Sequence, residues 1–201
     1  MPFISNGTTI LDNGAFSVGL GSKILLSTAT ASSSASLSFN STYINSTYPI
    51  YKFEFINIHI ATDTANFTFN LSTDNGSNYN VTKTTTHFLA AHYESDEATT
   101  LEYKTDYDLA QSTAFQIIAD NVGNGADESV SGFLDLYNPS STTYVKNFIS
   151  RVNKYQSDNA SYDTYSAGYG NTTSAVNAIQ FKMSSGNIDA GQIKLYGIGA
   201  N

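Results

Sequence analysis

The chain has 201 residues and a net charge of −8, yet only 13% of it is charged, so about a third of its residues, Ser, Thr and Asn, carry most of its polarity. That length holds one large β domain or two small ones, with room for a substantial core. A single Arg (Arg151) and eight Lys leave no basic stripe, which argues against nucleic-acid partners, and the absence of Cys excludes disulfides, thiolate metal sites and a Cys nucleophile. A surface of neutral hydrogen-bonding groups suits a dense assembly or salt water, where screening weakens charge-based solubility; it is also ordinary for extracellular β-sandwiches. The first residues, MPFISNGTTILDNGAF, have neither a basic start nor a long apolar run, so no secretory signal is expected. No window of 18 apolar residues exists, so no membrane span or membrane partner is expected. The expectation is a protein made in a cytoplasm that, if it acts outside, leaves by lysis or a leaderless route.

In chain order, residues 1–22 carry turn signals at Asn6-Gly7 and Asn13-Gly14 and read as an extended N-terminal arm. Residues 23–201 read as one β-sandwich domain. Lys23 to Thr30 is an expected strand; Ser32 to Ser38 reads equally as a linker or as the start of a strand through Phe39. Ile50 to Ile60 is the clearest strand, with Tyr51, Phe53 and Phe55 on one parity and Ile56, Ile58 and Ile60 on the other. A β-bulge at the switch, a crossing between sheets, or burial on both faces would each account for it. Phe67, Phe69 and Leu71 alternate next, and Asp74-Asn75-Gly76 predicts a hairpin turn into Tyr79 and Val81. Thr85 to Tyr93 is open between strand and short helix. Glu94 to Asp108 holds six of the seventeen acidic residues and reads as an exposed loop. Ala114 to Ala119, Val130 to Tyr137, Thr143 to Val152 and Ser161 to Tyr169 add strands, with a turn at Asn138-Pro139-Ser140-Ser141. Ala175 to Gly199 reads as a closing hairpin about a Ser184-Ser185-Gly186-Asn187 corner. About ten short strands without an amphipathic helix or a repeat predict an all-β, antiparallel two-sheet sandwich of jelly-roll type.

Catalytic and cofactor motifs are missing. His87 and His92 fall on opposite faces of a strand, and His59 stands alone, so no metal is expected. Neither a Gly-x-Ser-x-Gly elbow nor a phosphate-cradling loop occurs, and the carboxylates cluster in one loop, unlike a glycosidase pair. Asp120 to Glu128 mixes carboxylates, amides and glycines, the ingredients of a calcium loop, but its spacing is not that of an EF-hand and a polar turn is the better reading. Asn-x-Ser/Thr tripeptides recur, at Asn40, Asn45, Asn66, Asn70, Asn80 and Asn171 among others, as so Asn- and Thr-rich a composition makes them. Tyr155, Tyr162, Tyr165 and Tyr169 punctuate YQSDNASYDTYSAGYG. Exposed tyrosines stack on sugars, but tyrosines also fill half-buried sheet surfaces and interfaces, and the chain has no Trp. These four are the candidate partner or glycan contacts.

Several segments taken together resemble virion structural proteins of tailed phages of marine bacteria, cyanophages among them. They are Val-Thr-Lys-Thr-Thr-Thr (81–86), Asn-Gly-Ser-Asn-Tyr-Asn (75–80), Asn-Pro-Ser-Ser-Thr-Thr (138–143), Lys-Asn-Phe-Ile (146–149), Ser-Gly-Asn-Ile-Asp-Ala-Gly (185–191) and Leu195-Tyr-Gly-Ile, with Asn6-Gly-Thr-Thr-Ile-Leu-Asp ahead of them. The likeness runs from about residue 20 to 200. It implies a non-enzymatic capsid-decoration, fibre or tail-associated protein that is oligomeric, binds other virion proteins, and needs no cofactor. The rival expectation is a tail-fibre module that recognises host surface glycans.

Overall fold

The computed structural model describes residues 2–5, 7–12, 15–16, 23–156 and 158–199. The described residues form fifteen strands and no helix, so none is long and apolar enough to cross a membrane. Three short strands, β1 (Phe3–Ser5), β2 (Thr8–Asp12) and β3 (Ala15–Phe16), pair with one another where an extended arm was expected. The body follows with β4 (Lys23–Thr30), β5 (Leu37–Phe39), β6 (Ile50–Ile60), β7 (Ala65–Ser72), β8 (Lys83–Tyr93), β9 (Thr99–Tyr103), β10 (Gln116–Val122), β11 (Val130–Tyr137), β12 (Lys146–Gln156), β13 (Ala160–Gly170), β14 (Ala178–Met183) and β15 (Ile188–Ile198).

These strands build two antiparallel sheets of unequal width. The large one runs β4-β15-β6-β11-β12-β13-β8-β9 and the small one β5-β14-β7-β10. Four pairs are nested in sequence: β4 with β15, β5 with β14, β6 with β11, and β7 with β10. Successive pairs alternate between the sheets. Two insertions, β8–β9 and β12–β13, join the large sheet and widen it along one edge.

The apolar core lies where the two sheets overlap. Phe181 on β14 is its hub, with ring centroids 5.3 to 6.5 Å from those of Phe39, Phe53, Phe55, Phe67 and Phe69. Alternation selects this set: Tyr51, Phe53 and Phe55 point inward from β6 and are buried, while Lys52 and Glu54 face out.

The parity switch after Phe55 is a β-bulge. Ile56 and Asn57 together oppose Ser131, Asn57 takes φ +48°, and its amide donates to the Ser131 hydroxyl at 3.0 Å. The extra residue re-aims Ile58 and Ile60 into the core. Gly191 on β15 passes the bulge at φ +106°, where a Cβ would lie 2.4 Å from the Asn57 carbonyl oxygen.

Three expectations need correction. The closing hairpin is a crossover: β14 belongs to the small sheet and β15 to the large one. Residues 184–187 carry the chain between them, held by the Ser184 amide donating to the Asn66 carbonyl (2.8 Å) and the Ala61 amide donating to that of Asn187 (3.1 Å). The Asp74-Asn75-Gly76 turn has the expected positive φ at Asn75 and Gly76, but it too leads between sheets, and no strand covers Tyr79 to Val81. The acidic segment 94–108 contains a strand, β9, whose residues are all exposed, so the two main sheets hold more than the ten strands expected.

Truncating the hub, Phe181→Ala, should cost about 3–5 kcal/mol in urea unfolding. Gly191→Ala should cost about 1–3 kcal/mol through backbone strain alone. A loss below ~1 kcal/mol for Phe181→Ala would contradict its place at the centre of the core.

Candidate functional site

The widened half of the large sheet leaves its outer face uncovered, and that face carries the largest set of exposed apolar side chains. One row crosses it in register: Tyr103 on β9, Phe88 on β8, Tyr165 on β13, Arg151 on β12 and Phe133 on β11. Phe88 and Tyr165 are stacked, with ring centroids 4.8 Å apart and planes 4° from parallel. From the opposite strand, the Arg151 guanidinium carbon sits 4.8 Å from the Tyr165 centroid. Asp163 grips that guanidinium twice, accepting from Nε at 3.0 Å and from Nη2 at 2.6 Å. A fork so held keeps its planar geometry over the ring.

Beside this row lies a shallow trough of about 480 Å³, floored by Ala167 and flanked by Ile149 and Thr86, with Tyr169, Asn147 and Thr84 at its end. Ile149 is 47% exposed, Tyr103 48% and Leu101 79%. Three of the strands are 11 residues long. At ~4.8 Å between strands and ~3.3 Å per residue, the β9-β8-β13-β12 face covers about 600 Å², most of the ~800 Å² per partner of a standard interface.

The four tyrosines singled out from the sequence do not form one platform. Tyr165 lies between Phe88 and Arg151, so both its ring faces are occupied. Tyr169 lines the trough. Tyr155 faces out near the end of β12 and donates its hydroxyl to Asn159 Oδ1 at 2.8 Å. Tyr162 turns to the inner face, where its hydroxyl donates to Asp158 and lies 3.3 Å from that of Tyr93; burial first, and then Asp158, push its phenol pKa up. Sequence reading missed Phe88, Leu101, Tyr103 and Ile149. The available signal was the alternation of Thr84, Thr86, Phe88 and Ala90, and of Leu101 with Tyr103, hidden by the strand-or-helix ambiguity and the acidic surroundings.

The inner face of the same half is polar. His87, buried, lies 2.7 Å from the Ser166 hydroxyl, which itself donates to the Ile117 carbonyl at 3.1 Å. The imidazole hydrogen therefore sits on Nδ1, and Nε2 is left without a partner. Burial lowers the His87 pKa to about 4, with the nearby Asp120 carboxylate opposing the shift. His92 is on the outer face, 3.0 Å from Asp96, and His59 meets the Gly125 carbonyl at 3.1 Å. In the loop after β10, the Glu128 carboxylate accepts the Gly125 amide at 2.6 Å and fills the space over Gly123, making this a self-closed polar turn. No group of three or more His, Asp or Glu able to hold a metal comes together among the described residues. Asn70, within one of the Asn-x-Ser/Thr tripeptides, is fully buried and donates to the Tyr79 and Thr113 carbonyls.

No protein-family model, curated protein or solved structure matches this chain.

The unfolded chain takes up a proton on His87 near pH 6.5, and the folded one only near pH 4. The unfolded state thus binds more protons in that window, and His87 should make stability fall as pH drops from 6.5 to 4, by on the order of 3 kcal/mol. Urea midpoints across that range should show the fall in the native chain and a shallower one in His87→Gln; equal slopes would contradict the assignment.

Proposed function

We propose that this chain is a non-enzymatic virion structural protein of a tailed phage, an outer capsid-decoration or short head-fibre protein that binds neighbouring virion subunits and copies of itself. The observation that carries this reading is the uncovered outer face of β9-β8-β13-β12, where Phe88, Leu101, Tyr103 and Ile149 stay exposed among polar side chains over about 600 Å². Its mechanism is association: area buried on neighbours stabilises the shell by mass action, multiplied by avidity across many copies. The protein would be made in the host cytoplasm, become part of the virion and be released by lysis.

The nested order of strand pairs supports reading the sandwich as a jelly roll, an architecture that recurs in viral capsid and lectin domains. In that reading β4-β15-β6-β11 and β5-β14-β7-β10 are its two four-stranded sheets, and β8–β9 and β12–β13 are insertions that build the docking face. The resemblance of the turn and strand segments to phage virion proteins points the same way. The split of the four tyrosines between two faces favours association over the rival host-glycan module.

Purified particles of the parent phage should contain the chain in many copies, and recombinant protein should rebind particles stripped of it. Placing carboxylates on the exposed face, Leu101→Glu with Ile149→Glu, should weaken rebinding at least tenfold while leaving the circular dichroism unchanged, about 1.4 kcal/mol or more of interface energy. Absence of the chain from purified particles would overturn the proposal. So would adsorption to host cells that Tyr165→Ala abolishes while particle rebinding stays intact, the outcome that fits the glycan module.

A further inference from the structure

Lys83, at the start of β8, is fully buried, and no carboxylate pairs with its amine among the described residues. A buried charge without a partner is costly, and burial alone lowers this amine's pKa to about 7. Above neutral pH it is therefore largely the uncharged form, which carries a nucleophilic lone pair.

What the amine meets instead of a carboxylate is a carboxamide. Nζ lies 2.5 Å from Oδ1 of Asn70, a fully buried residue on β7, and 2.8 Å from the Val81 carbonyl. The Asn70 carboxamide carbon stands one C=O bond of ~1.23 Å from that oxygen, so it is at most about 3.7 Å from Nζ. Reacting atoms placed for attack are typically ~3–3.5 Å apart.

The carboxamide itself is held at both ends. Its oxygen also accepts the Leu71 amide at 2.8 Å, so two N–H donors face the atom where negative charge would gather. Its nitrogen donates to the Tyr79 and Thr113 carbonyls at 2.7 and 2.9 Å, acceptors that favour a nitrogen gaining a proton. Both side chains are closed to solvent, so water does not compete for the carbon.

We propose that Lys83 and Asn70 join in an intramolecular isopeptide bond. Nζ attacks Cγ of Asn70, the Cγ–Nδ2 bond breaks, and one Nζ hydrogen moves to Nδ2, which leaves as ammonia. The other Nζ hydrogen stays on the new secondary amide, and nothing is oxidised or reduced. Because β7 belongs to the small sheet and β8 to the large one, the bond fastens the two sheets across the crossover 73–82. In a chain without Cys it is a covalent staple that no disulfide can supply. The bond is remote from the outer face and does not rest on the virion reading.

Mass spectrometry of the full chain, purified after folding and held above neutral pH, tests it. The intact mass should fall about 17 Da below the sequence value, the loss of one ammonia. Trypsin does not cut after an acylated lysine, so residues 53–104 should emerge as one peptide that yields no backbone fragments between Asn70 and Lys83. Lys83→Met, which keeps a long buried side chain without the amine, should retain its full sequence mass. A native chain at full sequence mass, cut after Lys83, would overturn the proposal. So would the same loss of ammonia in Lys83→Met, or a loss traced to a succinimide at Asn75-Gly76, which leaves Lys83 cleavable.

Discussion

Eight strands face four, and the strands in excess must be closed by something other than a second sheet. Opposite β4, β15, β6 and β11, the small-sheet strands β5, β14 and β7 supply inward apolar side chains, Leu37, Phe39, Ile179, Phe181, Phe67 and Phe69 among them, and a phenylalanine-rich core results. Opposite β8 and β13, the cover is β10 and the segment 104–115, which brings backbone carbonyls with no ladder partner. Buried side chains meet that need. Lys154 donates to the Asp120 and Asn121 carbonyls, and Gln116 to those of Tyr107 and Ile117; in the loops beside this cover, Lys83 donates to the Val81 carbonyl and Lys146 to those of Tyr144 and Thr172. An orphaned buried carbonyl is expensive, so Lys154 and Gln116 supply donors that a further strand would otherwise have to supply. Lys83 shows what the arrangement demands: burial lowers its amine pKa to about 7, and even the neutral amine can still donate to Asn70 Oδ1 at 2.5 Å and Val81 at 2.8 Å.

The same widening shapes the outer surface. Two inserted hairpins extend the sheet with no layer outside it among the described residues, so aromatic and aliphatic side chains remain in solvent. Arg151, the chain's one arginine, is held by Asp163 and lies over Tyr165, which fixes the middle of the row. An ordered row on a rigid sheet loses little side-chain entropy when covered, the condition under which buried area converts into affinity. β9 ends this half of the sheet as a fully exposed edge, with Glu102 in it and Lys104 directly after it, charges of the kind that blunt open edges against indiscriminate pairing.

Much of the fold was legible in the sequence because alternation is local. β4, β6 and β11 lie at the expected residues, and the parity switch at Phe55 corresponds to a bulge visible in the φ of Asn57. Pairing was not legible, because the partner of a strand is set by contacts far along the chain. A Ser-Ser-Gly-Asn corner between two alternating runs looks the same whether it closes a hairpin or carries the chain across a core, and here it does the second. The outer aromatic row was hidden for the same reason: Phe88, Tyr165 and Arg151 are ordinary residues until the register of β8, β13 and β12 aligns them. The tyrosine-rich stretch drew attention by composition, yet the strand pleat sends Tyr162 to one face and Tyr165 and Tyr169 to the other, so nearness in sequence meant separation in space.

The uncovered outer face of the widened half is the central claim, since the proposed association depends on it. A cryo-electron microscopy map of the parent virion tests it most directly. The account predicts copies of this chain on the particle exterior with Phe88, Tyr165, Ile149 and Leu101 buried against a neighbouring subunit. A map in which the chain is present but this face points to solvent in every copy would contradict it.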